Sequence, residues 1–202
     1  RTSIFMGGQE RAVWMDLLEQ NGLDGLPDFD PGVTASVLET ASEFILPGVM
    51  PGPGPFPASA SRLAVDGNAA ALTDLQRDAA GSPVAANASR LVSVLSCGLA
   101  VQSARQLRQT GARDGTTIYL EGGFRRNRTY QAVLGSLFPN SPLVLTELQE
   151  ATAFGGALLG LAALRGEDPH ALSDAFEIQK TPAEPTRFEA AAAYAEAYER
   201  AV

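Results

Sequence analysis

The stretch Thr116-Thr117-Ile118-Tyr119-Leu120-Glu121-Gly122-Gly123-Phe124-Arg125-Arg126-Asn127 decides the reading of this chain. A β-branched apolar run stops at two glycines, and an asparagine then stands where helical spacing begins. That order predicts a strand at Ile118–Leu120, a tight turn, and a helix from Asn127 to Leu137. The junction of a strand end with a helix N-terminus is where α/β proteins hold ligands. Gly122 and Gly123 can take positive φ and carry no Cβ, so a flat ring or a phosphate can reach the main chain. Asn127 can cap the helix or bond the base or ribose of a nucleotide. Arg125 and Arg126 stand at the mouth, where either can face phosphate. An ordinary strand-to-helix turn capped by asparagine satisfies the same pattern.

Outward from this corner, the pattern predicts a long helix Val84–Gln109 before it. Leu91, Val94, Leu95, Leu99 and Leu107 recur there at helical spacing, and Gly111 ends the run. Gly98 inside that helix costs about 1 kcal/mol relative to alanine, which a close packing partner would offset. After the corner come a strand Leu143–Leu145 and a helix Glu150–Leu164 carrying Gly155, Gly156 and Gly160. Those glycines make sense if the helix backbone lies close to the sheet or to a ligand. Helix, strand, helix, strand, helix implies parallel strands joined by crossover helices, and Arg187–Ala201 reads as an alanine-rich closing helix. Upstream, the pattern predicts a short strand Arg1–Met6 and a helix Gln9–Gln20; Thr34–Phe44 is either another helix or an excursion covering a sheet edge. Leu63–Val65 reads as a strand ending in an Asp66-Gly67 hairpin turn, and Ala70–Ala80 as a short helix. Pro47–Pro57 can be neither helix nor central strand. It is a stiff surface loop, a wall of a ligand cleft, or an extended ligand for a partner domain.

Composition narrows the function. The chain has 202 residues, 45% of them hydrophobic, and a net charge of −8. Its arginines are scattered along the sequence without a basic stripe, which argues against nucleic acid as a partner. Lys180 is the only lysine, so a Walker A phosphate loop is excluded. Cys97 is the only cysteine and sits in an apolar run, as a small buried hydrophobe would. A disulfide framework is therefore excluded, and a reduced compartment, the cytoplasm, fits. His170, the only histidine, follows an Asp-Pro turn as a loop or helix-start residue. Cys97 and His170 alone are too few for a zinc site built on cysteine and histidine. No apolar run reaches membrane-spanning length, since Ala151–Leu164 is too short and rich in glycine. Asp66, Asp74 and Asp78 fall at turn or helix-surface spacing, as solvated side chains do.

Three segments, in order, resemble the C-terminal domain of the FGGY family of carbohydrate kinases, within the actin-like, hexokinase-like ATPase superfamily. Cys97-Gly98-Leu99-Ala100 is similar to the family's Glu-Gly-hydrophobic-Ala helix centre. Glu121-Gly122-Gly123-Phe124-Arg125-Arg126-Asn127 resembles its Gly-Gly-x-x-x-Asn adenosine motif. Glu150-Ala151-Thr152-Ala153-Phe154-Gly155-Gly156-Ala157 resembles its Glu-x-x-Ala-x-Gly-Ala-Ala helix. Leu46–Ser61 falls where family members carry a proline-containing loop near the cleft. Thr2-Ser3-Ile4 looks like the end of the phosphate-side Gly-Thr-Ser/Gly strand. Cys97 departs from the family's glutamate, and Arg1 stands where a phosphate-side glycine is expected.

The resemblance implies one ribonuclease H-like (actin-like ATPase) α/β domain over residues 1–202, a mixed sheet flanked by helices, with residues 185–202 as its closing helix. It implies ATP and Mg as the nucleotide and its ion, and a sugar or polyol as the second substrate. The N-terminal domain of the same enzyme is expected as a partner across the cleft, and a homodimer is compatible. In this reading Gly122, Gly123 and Phe124 lie against adenine, Asn127 meets base or ribose, and Thr2 lies near the phosphates. The catalytic aspartate falls in the other half, so this chain alone phosphorylates nothing. A non-catalytic regulatory member of the superfamily, or an interaction module using the proline-rich loop, are the competing expectations.

Overall fold

The computed structural model describes residues 7–23, 27–50, 52, 54–79, 81–148, 151–173 and 176–202. The expected strand Arg1–Met6, and with it Thr2, lies outside them, as does Glu150. Helix α1 spans Gly7–Gln20 and buries Trp14, Leu17 and Leu18, close to the expected Gln9–Gln20. Helix α2 runs Pro31–Thr40 rather than Thr34–Phe44. Asp30 starts it early, accepting hydrogen bonds from the Gly32 and Val33 amides at 2.8 and 3.0 Å, with Pro31 preset for the first turn. Ala41 stops it in the left-handed region at φ 47°. Phe44 therefore belongs to strand β1, Glu43–Leu46.

Strand β1 pairs antiparallel with β2, Arg62–Val65, and β2 with β3, Asn68–Ala71. Asp66 and Gly67 make the β2–β3 turn with φ of 49° and 80°, as the hairpin signal requires. The hairpin takes residues expected to be helical, so only α3, Leu72–Leu75, remains of Ala70–Ala80. Helix α4 spans Ala88–Thr110. It starts later than Val84 because Asn87 caps it, accepting from the Arg90 amide at 3.0 Å. Gly111 at φ 104° ends it.

Strand β4, Ile118–Leu120, pairs parallel with β5, Leu143–Thr146, through the crossover helix α5, Arg128–Leu137. Strand β6, Lys180–Ala183, adds antiparallel to β5. Sequence reasoning missed β6 because Lys-Thr-Pro-Ala lacks an apolar alternation; Pro182 is tolerated at an edge. Helix α6 spans Ala151–Arg165, α7 Pro169–Ser173 and α8 Ala191–Ala201. Among the described residues there are two three-stranded sheets, β1-β2-β3 antiparallel and β4-β5-β6 mixed, and none of the helices is long and apolar enough to cross a membrane. His170 lies in α7, at the helix-start position expected of it.

Helix α4 is the spine. Its buried face, from Leu91 through Ala104, joins Trp14 of α1, Leu38 of α2, Ile45 of β1, Leu134 of α5 and Tyr198 of α8 in one core. Cys97 is fully buried there, as expected. A polar lattice fixes the register of the layers. Arg90 grips Glu43 with two bonds, Nε to Oε2 at 2.8 Å and Nη2 to Oε1 at 2.9 Å, a geometry stronger than a single charged contact. Tyr194 donates to the Glu43 carbonyl and Tyr198 to the Ile45 carbonyl, each at 3.1 Å. Gln102 donates to the Tyr198 hydroxyl at 3.1 Å. Gly98 has the close partner expected of it: a Cβ there would lie 3.0 Å from both the Ile45 carbonyl oxygen and Tyr198 Cε2.

The proline-rich loop forms neither helix nor strand at its described positions. Its root is pinned by Glu10, whose Oε1 accepts from the Gly48 and Val49 amides at 2.8 and 3.0 Å. Burial holds the Glu10 carboxyl above the ordinary carboxylate range, and those two bonds only partly oppose it. A carboxyl raised in the fold stabilises the native state below its unfolded-state value, and that contribution is lost as pH rises through the folded value. Glu10→Gln keeps the acceptor oxygen and removes the charge. Denaturation midpoints from about pH 4 to about pH 8 should therefore fall less with rising pH in the variant than in the wild type. An unchanged slope would show that Glu10 does not titrate in this range.

Candidate functional site

The corner is built by the end of β4. Leu120 is buried, then the chain turns through a single 3-10 stretch, Gly122–Arg126, into α5. Gly122 takes φ 58°, a conformation that suits glycine; Gly123 does not need positive φ. The turn is held from both sides. Gln131 Nε2 donates to the Phe124 carbonyl at 3.2 Å and the Arg125 carbonyl at 2.7 Å. On the other side Thr146 of β5 donates to Glu121 Oε1 at 3.3 Å. The backbone is thereby fixed while the glycine surface stays bare: a Cβ built on Gly122 or Gly123 meets no atom within 4 Å.

Asn127 takes the capping alternative. Its Oδ1 accepts from the Tyr130 amide at 2.9 Å and its Nδ2 donates to Ser96 Oγ of α4 at 2.9 Å. Both ends of the amide are thus engaged, although Asn127 still lines a cavity. Phe124 stacks on Tyr130, with ring centroids 4.4 Å apart, and lines neither cavity described below. Burial pushes the Tyr130 hydroxyl up to about 12 despite a hydrogen bond with Ser103, so it is a structural prop without acid–base capacity near neutrality.

Two adjoining cavities share Gly123 and Arg126. The first, about 240 Å³, lies between α1, the segment 27–29, the start of α4 and the turn into α5, and includes Arg11, Phe29, Ser93, Gly123, Arg126 and Arg128. The second, about 250 Å³, is lined by Gly122, Gly123, Arg125, Arg126 and Leu148. Arg11 of α1 joins Arg125, Arg126 and Arg128 of the turn and the start of α5 here, and among the described residues Asp28 is the only acidic one lining either cavity. In an acidic chain this is a local cationic focus, the electrostatics an anionic ligand needs. Sequence spacing gave Arg125 and Arg126; Arg128, next to Asn127, was missed although it adjoins the same motif, and Arg11 carries no signal because only folding brings α1 beside the turn. None of the described residues of the proline-rich loop lines either cavity.

Of the two settings expected for the α6 glycines, the sheet and a ligand, the first is not found: a Cβ at Gly155, Gly156 or Gly160 meets nothing within 4 Å, so among the described residues neither sheet nor other backbone presses on them. The helix is apolar yet leaves Leu159 and Leu164 exposed, the latter at 87%.

Sheets flanked by helices, with a strand-end corner opening onto a basic cavity, define a mixed α/β domain consistent with the actin-like ATPase fold. The chain belongs to the FGGY carbohydrate kinases: the family's C-terminal domain, described as "Carbohydrate kinase FGGY, C-terminal domain", matches residues 1–169. The crystal structure of a carbohydrate kinase from Novosphingobium aromaticivorans is similar over 98% of this chain, with a TM-score of 0.54 and 18% sequence identity. The aligned region spans 36% of that kinase, so this chain corresponds to about a third of its length. No curated protein matches the sequence.

Proposed function

We propose that this chain is the nucleotide-binding half of an ATP-dependent sugar kinase, which transfers the γ-phosphate of ATP to a sugar or polyol hydroxyl in the cytoplasm. The observation that carries the reading is the bare Gly122-Gly123 backbone, which opens onto arginine-lined cavities and is not needed bare by the protein's own packing at Gly123. Adenine lies against Gly122 and Gly123. Asn127 borders the base or ribose, and Phe124 supports the turn from behind through Tyr130. Arg125 and Arg126 neutralise phosphate charge, and Thr2, outside the described residues, approaches the phosphates.

Phosphoryl transfer rests on positioning and charge neutralisation. The sugar hydroxyl oxygen bonds to the γ-phosphorus as the bond to the β-bridging oxygen breaks, ADP departs, and a base takes the hydroxyl proton. No residue of this chain is assigned as that base; an aspartate of the N-terminal domain takes the role. Magnesium enters as part of the nucleotide substrate. The exposed apolar face of α6 is assigned to contact with that companion domain, since the kinase of similar fold is much longer than this chain.

The test is calorimetry combined with a coupled ADP assay. The chain should bind Mg-ATP weakly, with a dissociation constant on the order of 0.1–1 mM, and release no ADP in response to a panel of sugars and polyols. Sugar-dependent ADP release from these residues alone would overturn the assignment of the base to another domain. Absence of nucleotide binding would overturn the reading as a whole.

A further inference from the structure

Phe29 lines the 240 Å³ cavity together with Gly123, yet it is neither part of the buried core nor among the half-buried side chains packed against that core. It sits in the segment 27–30, which is neither helix nor strand. The Arg128 guanidinium stands 5.3 Å from the centroid of its ring, a cation–π contact that orients both groups. An aromatic side chain at a cavity wall, away from the core, gains little from folding and is suited to a ligand. The cavity lies below the roughly 300–1,000 Å³ of a pocket for a drug-sized molecule. It has room for a ring system, and the second cavity adjoins it through Gly123 and Arg126.

A flat heterocycle fits such walls: a phenyl ring, a guanidinium plane and a glycine without Cβ. Arg11 and Arg126, on the same cavity, leave the charged tail a cationic exit. We infer that Phe29, oriented by Arg128, is the stacking platform for the base of the bound nucleotide. The inference rests on the nucleotide reading above and adds to it the base-contacting residue.

Binding of three probes separates the two claims: ATP, adenosine and inorganic tripolyphosphate, measured by calorimetry on the whole chain. Phe29→Ala should raise the dissociation constants for ATP and adenosine by the same factor, about tenfold, and leave that for tripolyphosphate unchanged. Phe29→Trp should retain adenosine binding, and its indole emission should change on adding adenosine but not tripolyphosphate; Trp14, fully buried, provides a constant background. Unchanged adenosine affinity in Phe29→Ala, with wild-type ATP binding intact, overturns the stacking role and spares the nucleotide reading. Equal loss of all three probes overturns it as well, because the effect is then on the cavity and not on the base. A wild-type chain that binds neither ATP nor adenosine removes both.

Discussion

Gly123→Val raises the dissociation constant for ATP by roughly 100-fold, equivalent to about 2.7 kcal/mol, and leaves the chain folded. The two halves of this result have separate causes. A Cβ at Gly123 meets no protein atom within 4 Å, and the residue does not use positive φ, so the fold loses little. The added isopropyl group projects into space that both cavities share, where the proposed nucleotide must touch main chain. Gly123→Ala should fall between the wild type and valine. Calorimetry with ATP, paired with thermal unfolding, checks both halves. A valine variant with wild-type affinity would mean that the ligand does not approach this backbone; one that unfolds would mean that the glycine serves packing. Gly122 is a poorer probe, because its φ of 58° makes any side chain strained whether or not a ligand is present.

Gly98→Val carries the largest expected effect on stability, a loss of about 3 kcal/mol, or roughly 6–12 °C in unfolding temperature for a chain of this size. The first side-chain carbon would already stand 3.0 Å from the backbone oxygen of Ile45 and from the Tyr198 ring. Neither can retreat: Ile45 is in β1, and the Tyr198 hydroxyl is tied to both the Ile45 carbonyl and Gln102. Valine also loses side-chain freedom in a helix. Chemical denaturation of the variant gives the number directly. A loss smaller than about 1 kcal/mol would show that α4, β1 and α8 are not packed as tightly as described.

The second half of the chain was legible because each element there carries its own boundary. Gly111 closes α4, Gly122-Gly123 closes β4, and Asn127 caps α5, so local chemistry and tertiary structure agree. Cys97 was legible as a core residue from its apolar neighbours, and Gly98 from its conflict with helix propensity. The first half was less legible, since its strands owe their existence to partners. Phe44 and Ala70 both sit in patterns compatible with a helix, and pairing with β2 decides otherwise. β6 is a polar edge that only β5 makes visible.

The site divides in the same way. The geometry of the corner could be read because Gly122-Gly123 ends an apolar run and Asn127 opens the helical spacing, although an ordinary capped turn carries the same pattern. The arrival of Arg11 at it could not, because Arg11 belongs to α1, more than a hundred residues upstream. Phe29 gave no periodic signal at all. Asn127 was read with two alternatives, and the bonds to Tyr130 and Ser96 show it acting as a helix cap.

The most direct test of the central claim is an amide chemical-shift titration of the chain with Mg-ATP. Ligand lying on the bare turn should give its largest perturbations at the amides of Gly122, Gly123 and Arg126 through Thr129, with smaller ones at Ser89 to Ser93 of α4. Saturating ATP that leaves the Gly122-Gly123 amides unmoved, or that perturbs only residues remote from both cavities, would contradict it.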